Sequence, residues 1–111
     1  MHRLSELECE ACSIDAHRLS RTEITSLLPD IEGWELLVEK NVQKLQRIFV
    51  TNDYTKSMAF TNAVASRAES ANHHPQILVE YGSVTVTWWT HKINGLHKND
   101  FIMAAKTSGL F

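Results

Sequence analysis

Pro75 separates two kinds of periodicity, and no other residue restricts the fold as much. Before it, "TNDYTKSMAFTNAVASRAESANHHP" sets Ser57, Phe60, Thr61, Val64, Ala65 and Ala68 at helical spacing. After it, "QILVEYGSVTVTWWT" alternates, with Val84, Val86 and Trp88 on one face and Thr85, Thr87 and Trp89 on the other. A proline disfavours the α region for the residue before it, so the helix is expected to end at about His74. Asn52 or Asp53 can open it as the N-cap. The face it buries is made mostly of small side chains, which let a helix lie close to a sheet.

The remaining elements follow from punctuation. "SRTEITSLLPD" begins with a capping box, Ser20 three residues before Glu23, carries Ile24, Leu27 and Leu28 on one face and stops before Pro29. "WELLVE" and "NVQKLQRIFV" read as antiparallel strands joined near Lys40 and Asn41. Gly82-Ser83 turns the later hairpin, so one face of its second strand should be core. The loop "HKINGLHKND" leads to a last helix, "DFIMAAKTS", which Asn99 or Asp100 can cap. The order α-β-β-α-β-β-α predicts an α+β fold. It is a two-layer sandwich, a four-stranded antiparallel sheet with its helices packed on one face. With 43% apolar residues, 111 residues can build one core. The domain is expected over residues 18–111, with 1–17 as a flexible arm.

Charge and hydropathy exclude several functions. Eleven Lys and Arg against 13 Asp and Glu are interspersed, with a net charge of -2. That argues against direct nucleic-acid binding and against a polybasic membrane patch. The longest apolar runs, such as "AFTNAVA", are too short to span a bilayer, and the first residues are acidic where a secretory signal is apolar. A cytoplasmic location is expected. Cys9 and Cys12 form "CEAC" without a second ligand pair; His17 is the only nearby third candidate, and two reduced thiols are the simpler reading.

The chemistry concentrates around the proline. Glu69 and His73 are four apart, one helical turn from one another. His74 precedes the proline and should turn away from His73, so two imidazoles can address two sides of one ligand. His91 follows the last strand, where a rigid scaffold hands over to a loop. Asp100 lies across the Asn-Gly turn and can return to an imidazole, fixing its tautomer. Each has a plainer role. His73 or His74 could be a C-cap, Asp100 the N-cap of the last helix, and Glu69 a solvated helix residue. Zinc binding by His73, His74 and His91 is disfavoured because consecutive side chains diverge. Of the adjacent tryptophans, one should be core and the other should cover a neighbour or face a subunit or ligand. His2, His17 and His97 read as surface residues.

Glu69, "HHP" ending at Pro75, Tyr81, "VTVTWWTH" ending at His91, Gly95-Leu96 and Asp100 together resemble the signature of the pterin-4a-carbinolamine dehydratases. Gly33-Trp34 and the pattern from Phe60 to Glu69 fall in the same family order, so the resemblance spans roughly residues 18 to 108. The "CEAC" arm and the chain from Thr85 onward are similar to bacterial members associated with phenylalanine hydroxylase. The resemblance implies dehydration of 4a-hydroxytetrahydrobiopterin to quinonoid dihydropterin by histidine acid-base catalysis, with no cofactor and no metal. An aromatic amino acid hydroxylase would be the functional partner, and a homodimer or homotetramer the assembly. By the same resemblance His73 and His91 would be general acids on opposite faces of the pterin, and His74 would bind and position the ring. Glu69, Pro75 and Asp100 would bind substrate or orient imidazoles. The alternative is a non-catalytic dimerisation cofactor or regulator of expression.

Overall fold

Four of the chain's changes of direction are made by residues with left-handed backbone. Lys40 and Asn41 (φ 50° and 67°), Asn52 (60°), Asn72 (51°) and Asn94 (49°) each sit where one element gives way to another. Asparagine tolerates this region better than most L-residues, and of these positions those near Lys40-Asn41 and at Asn94 were legible as turns in the sequence. A computed structural model describes residues 3–7 and 18–111. The readings on His2, Cys9, Cys12 and His17 therefore lie outside the described residues.

Between these turns lie α1 (Arg21–Leu27), β1 (Glu35–Glu39), β2 (Val42–Val50), α2 (Tyr54–Ala71), β3 (Gln76–Val79), β4 (Ser83–Trp88) and α3 (Lys98–Leu110). The strands form one antiparallel sheet in the order β1-β2-β4-β3. The architecture is the two-layer α+β sandwich expected from the element order. Ser20 caps α1 by accepting from the Glu23 N–H, while the Glu23 carboxylate accepts from the Ser20 N–H. Asp53 caps α2 by accepting from the Lys56 N–H.

The register decides which side chains become core. Leu45 lies opposite Trp88 and Phe49 opposite Val84, so one face of β2 and β4 is continuous. Phe60, Val64 and Ala68 of α2 and Phe101, Met103 and Ala104 of α3 cover that face. Each large side chain buried here stabilises the fold by roughly 1.5–3 kcal/mol. Trp88 is fully buried and its indole N–H donates to Thr107 Oγ1 of α3 at 3.1 Å, tying sheet to helix. On the opposite face no helix among the described residues covers Ile48, Val50 and Leu78, which are all exposed. Leu4, in a 3-10 turn at residues 4–6, packs against the core.

Three boundaries differ from those read in the sequence. α2 ends at Ala71, because left-handed Asn72 turns the chain and returns its N–H to the carbonyls of Ala68 and Glu69. The later hairpin turns through Tyr81 and Gly82, with the Glu80 N–H donating to the Ser83 carbonyl at 2.9 Å. α3 begins at Lys98, and its cap is His97 rather than Asn99 or Asp100.

Candidate active site

Ending α2 at Ala71 places His73 and His74 in the short link between α2 and β3, outside both elements. His73 is 6% exposed and His74 belongs to the surface. Pro75 stands between this pair and the first residue of β3. The spacing of Glu69 and His73 suggested that these two would share a helix face. Because His73 is outside the helix, the Glu69 carboxylate instead meets His74 Nε2 at 3.1 Å, both groups largely in water.

His73 finds its carboxylate in Asp100, at the start of α3. Nε2 lies 2.6 Å from Asp100 Oδ1, and Asp100 is fully buried. Since the carboxylate only accepts, His73 donates from Nε2, and this bond selects its tautomer. The second carboxylate oxygen accepts from the Thr90 hydroxyl at 2.8 Å and from the backbone N–H of His97 at 2.9 Å. Three donors therefore converge on one buried carboxylate, which is what makes the burial of its charge tolerable. The face of the His73 ring stacks on Trp88, with centroids 5.3 Å apart and planes 27° apart.

Asp100 thus has two duties. As the third residue of α3 it returns to the His97 N–H as a capping carboxylate, and it holds His73 at the same time. His97 Nδ1 accepts from the Asn99 N–H at 3.0 Å, so this imidazole takes the place of the usual Ser, Thr or Asp side chain. The reading of His97 as a surface residue is corrected here, since it is buried. An acidic residue three positions downstream was the available signal, but histidine is rarely the partner in that pattern.

Thr90 was also missed. It is buried, and its backbone exchanges hydrogen bonds with Gly95 (2.9 and 3.4 Å), closing the loop that carries His91. His91 itself is exposed and begins a short 3-10 turn, His91–Ile93. Its ring lies 4.4 Å from that of Trp89. Trp89 is on the sheet face opposite Trp88, because it meets Lys44, whereas Trp88 pairs with Leu45. One tryptophan is core and its neighbour covers a histidine, as the alternation required. Lys44 Nζ sits 4.0 Å from the Trp89 ring centroid and 2.9 Å from Glu39 Oε1. The hydrogen bond and the charge of Lys44 hold the Glu39 carboxyl below the usual carboxylate value.

Among the described residues, no three His, Cys, Asp or Glu side chains gather as metal ligands would. No helix among them is long and apolar enough to cross a membrane. What converges at the end of the sheet is a buried imidazole-carboxylate pair, an exposed imidazole-carboxylate pair and a third imidazole on an indole. Such groups can move protons near neutral pH.

Residues 17–110 match the family model described as pterin 4 alpha carbinolamine dehydratase. A Nitrosococcus oceani protein provisionally named pterin-4-alpha-carbinolamine dehydratase is 54% identical over 110 residues, covering 99% of this chain and 97% of the relative. A Marinobacter nauticus protein with the same provisional name is 50% identical over 111 residues, the full length of both. Among solved structures, a Brucella melitensis protein described as a transcriptional coactivator/pterin dehydratase superposes with a TM-score of 0.77 at 30% identity. That match covers 85% of this chain and 98% of the other. A pterin dehydratase-like protein identified as a RuBisCO assembly factor in the alpha-carboxysome gives a TM-score of 0.60 at 24% identity. It covers 71% of this chain and 89% of the other, and it shares the fold.

Proposed function

The chain belongs to the pterin-4a-carbinolamine dehydratase family, and from that premise we propose that its histidines dehydrate 4a-hydroxytetrahydrobiopterin to quinonoid dihydropterin. The C4a–O bond breaks as the departing hydroxyl takes a proton and leaves as water. N5 loses its proton and forms the double bond to C4a. Protons balance, so an acid and a base suffice and the reaction needs no cofactor.

His73 and His91 are the two general acids in this reading, each serving one stereoisomer at C4a, and His74 binds and positions the ring. Asp100 orients His73, Glu69 orients His74, and Pro75 keeps the two imidazoles apart. The observation that best supports this reading is the 2.6 Å bond from His73 to a buried carboxylate that two further donors, the Thr90 hydroxyl and the His97 N–H, hold in place. Second-layer anchoring of this kind is what keeps an acid-base group in productive geometry.

Once an external two-electron donor has reduced it to the tetrahydropterin, the product would be reused by an aromatic amino acid hydroxylase in the cytoplasm. Assembly as a homodimer or homotetramer is proposed too, with the free edges of β1 and β3 and the exposed Ile48, Val50 and Leu78 as surfaces available for it. Stopped-flow loss of the carbinolamine absorbance, with the substrate generated by a hydroxylase, tests the chemistry. Acceleration by wild type that His74→Ala loses is the expected result. No acceleration by wild type would overturn it and favour a binding or regulatory role, the reading to which the Brucella melitensis relative's description as a coactivator lends weight.

A further inference from the structure

We propose that Lys44 is a positioning residue for His91, acting through Trp89; this rests on the reading of His91 as a proton donor. On the open face of the sheet an exposed lysine normally extends into water. Lys44 does not, for its side chain is only 14% exposed although no helix among the described residues covers Ile48 and Val50 on that face. Its ammonium is held at two points, 2.9 Å from Glu39 Oε1 and 4.0 Å from the Trp89 ring centroid. Glu39 and Lys44 lie diagonally across the β1–β2 ladder, since Lys44 pairs with Leu37 and Glu39 with Val42.

The same indole receives the His91 ring at 4.4 Å. His91 is exposed and lies in a loop, so it lacks the burial that fixes His73. A loosely held imidazole spends part of its time away from the reacting hydroxyl. An indole that is itself pinned supplies a flat surface against which the ring settles. Lys44 does the pinning, because a cation over an indole face is attracted by its quadrupole. On the same face Ile48 and Val50 stand bare, so the cover over Trp89 is local to the end of the sheet that carries His91. Glu39, Lys44, Trp89 and His91 form a continuous column from the first hairpin to the active loop.

The test compares Lys44→Met, which keeps the stem and loses the charge, with Lys44→Arg, which keeps a cation able to stack on an indole. Proton NMR of the His91 ring reads its position directly, because the Trp89 ring current displaces the His91 resonances. The displacement should shrink in Lys44→Met, vanish in Trp89→Leu and return in Lys44→Arg. In stopped-flow assays with each C4a isomer, Lys44→Met should lower kcat about two- to fivefold on the isomer served by His91, the range a partly exposed cation-indole contact allows. KM and the other isomer should be unchanged, and Lys44→Arg should restore the rate. Unmoved His91 resonances in Lys44→Met would overturn the proposal, as would an equal loss on both isomers. If wild type turns over neither isomer, the dehydratase reading fails, and the resonances alone then decide whether Lys44 positions His91.

Discussion

Trp88 and Trp89 are neighbours in the chain and each carries an imidazole, yet the two pairs are built on different principles. His73 on Trp88 is enclosed, with core on one side and a satisfied buried carboxylate at Nε2. His91 on Trp89 is exposed, steadied by an indole that a surface ion pair holds. Burial fixes the first pair by excluding alternatives, and its geometry is inseparable from the stability of the domain. The second is fixed by weaker contacts around an indole that only borders the core. The lesson is that two neighbouring imidazoles can draw their order from two sources with very different energetic reach.

Truncating each tryptophan should expose this difference most strongly. Trp88→Ala removes a fully buried ring and should cost about 3–5 kcal/mol, whereas Trp89→Ala should stay below about 1.5 kcal/mol in urea denaturation. Comparable losses would mean that the open pair is also part of the core. Next in size is the carboxylate. Asp100→Asn leaves the amide nitrogen facing donors and should cost about 2–3 kcal/mol. It should also slow turnover by about a hundredfold. Glu69→Gln, on the exposed pair, should change stability by no more than about 0.5 kcal/mol. Thr90→Val tests the enclosed pair more gently. Loss of one donor should cost about 1–2 kcal/mol, slow only the isomer served by His73, and be reversed in Thr90→Ser.

The smallest effect concerns pH and the open pair. Because the Glu39 carboxyl is lowered in the folded state, its pairing with Lys44 adds stability above the ordinary carboxylate value, and that contribution is lost as pH falls through the lowered value. The gap in melting temperature between wild type and Glu39→Gln should close over that acidic range. A gap that persists at lower pH would mean that Glu39 acts by packing instead of charge.

Legibility in the sequence followed the same division. The signals confined to a few adjacent residues were readable, such as the Ser20 and Glu23 box, the Lys40-Asn41 turn and the alternation from Val84 to Trp88. The helix end was misplaced because Asn72, ahead of the proline, takes the left-handed turn first. Asp100 could be suspected of reaching an imidazole, but not which one. Thr90 could not be found, since its importance comes from meeting Asp100 across the loop, and His97 was passed over because its capping pattern with Asp100 usually begins with Ser or Thr. Nothing in "NVQKLQRIFV" singles out Lys44; only its contact with the Trp89 ring does.

The double duty of Asp100 limits how a chain of this kind can change over generations. One carboxylate both begins the last helix and holds His73, so on the proposed mechanism a substitution there should weaken chemistry and stability together. A descendant that abandons catalysis for a scaffolding task is therefore free to discard His91 or His74 early. The buried carboxylate should be the last part of the old machinery to go, surviving in proteins that no longer have a use for the imidazole it holds.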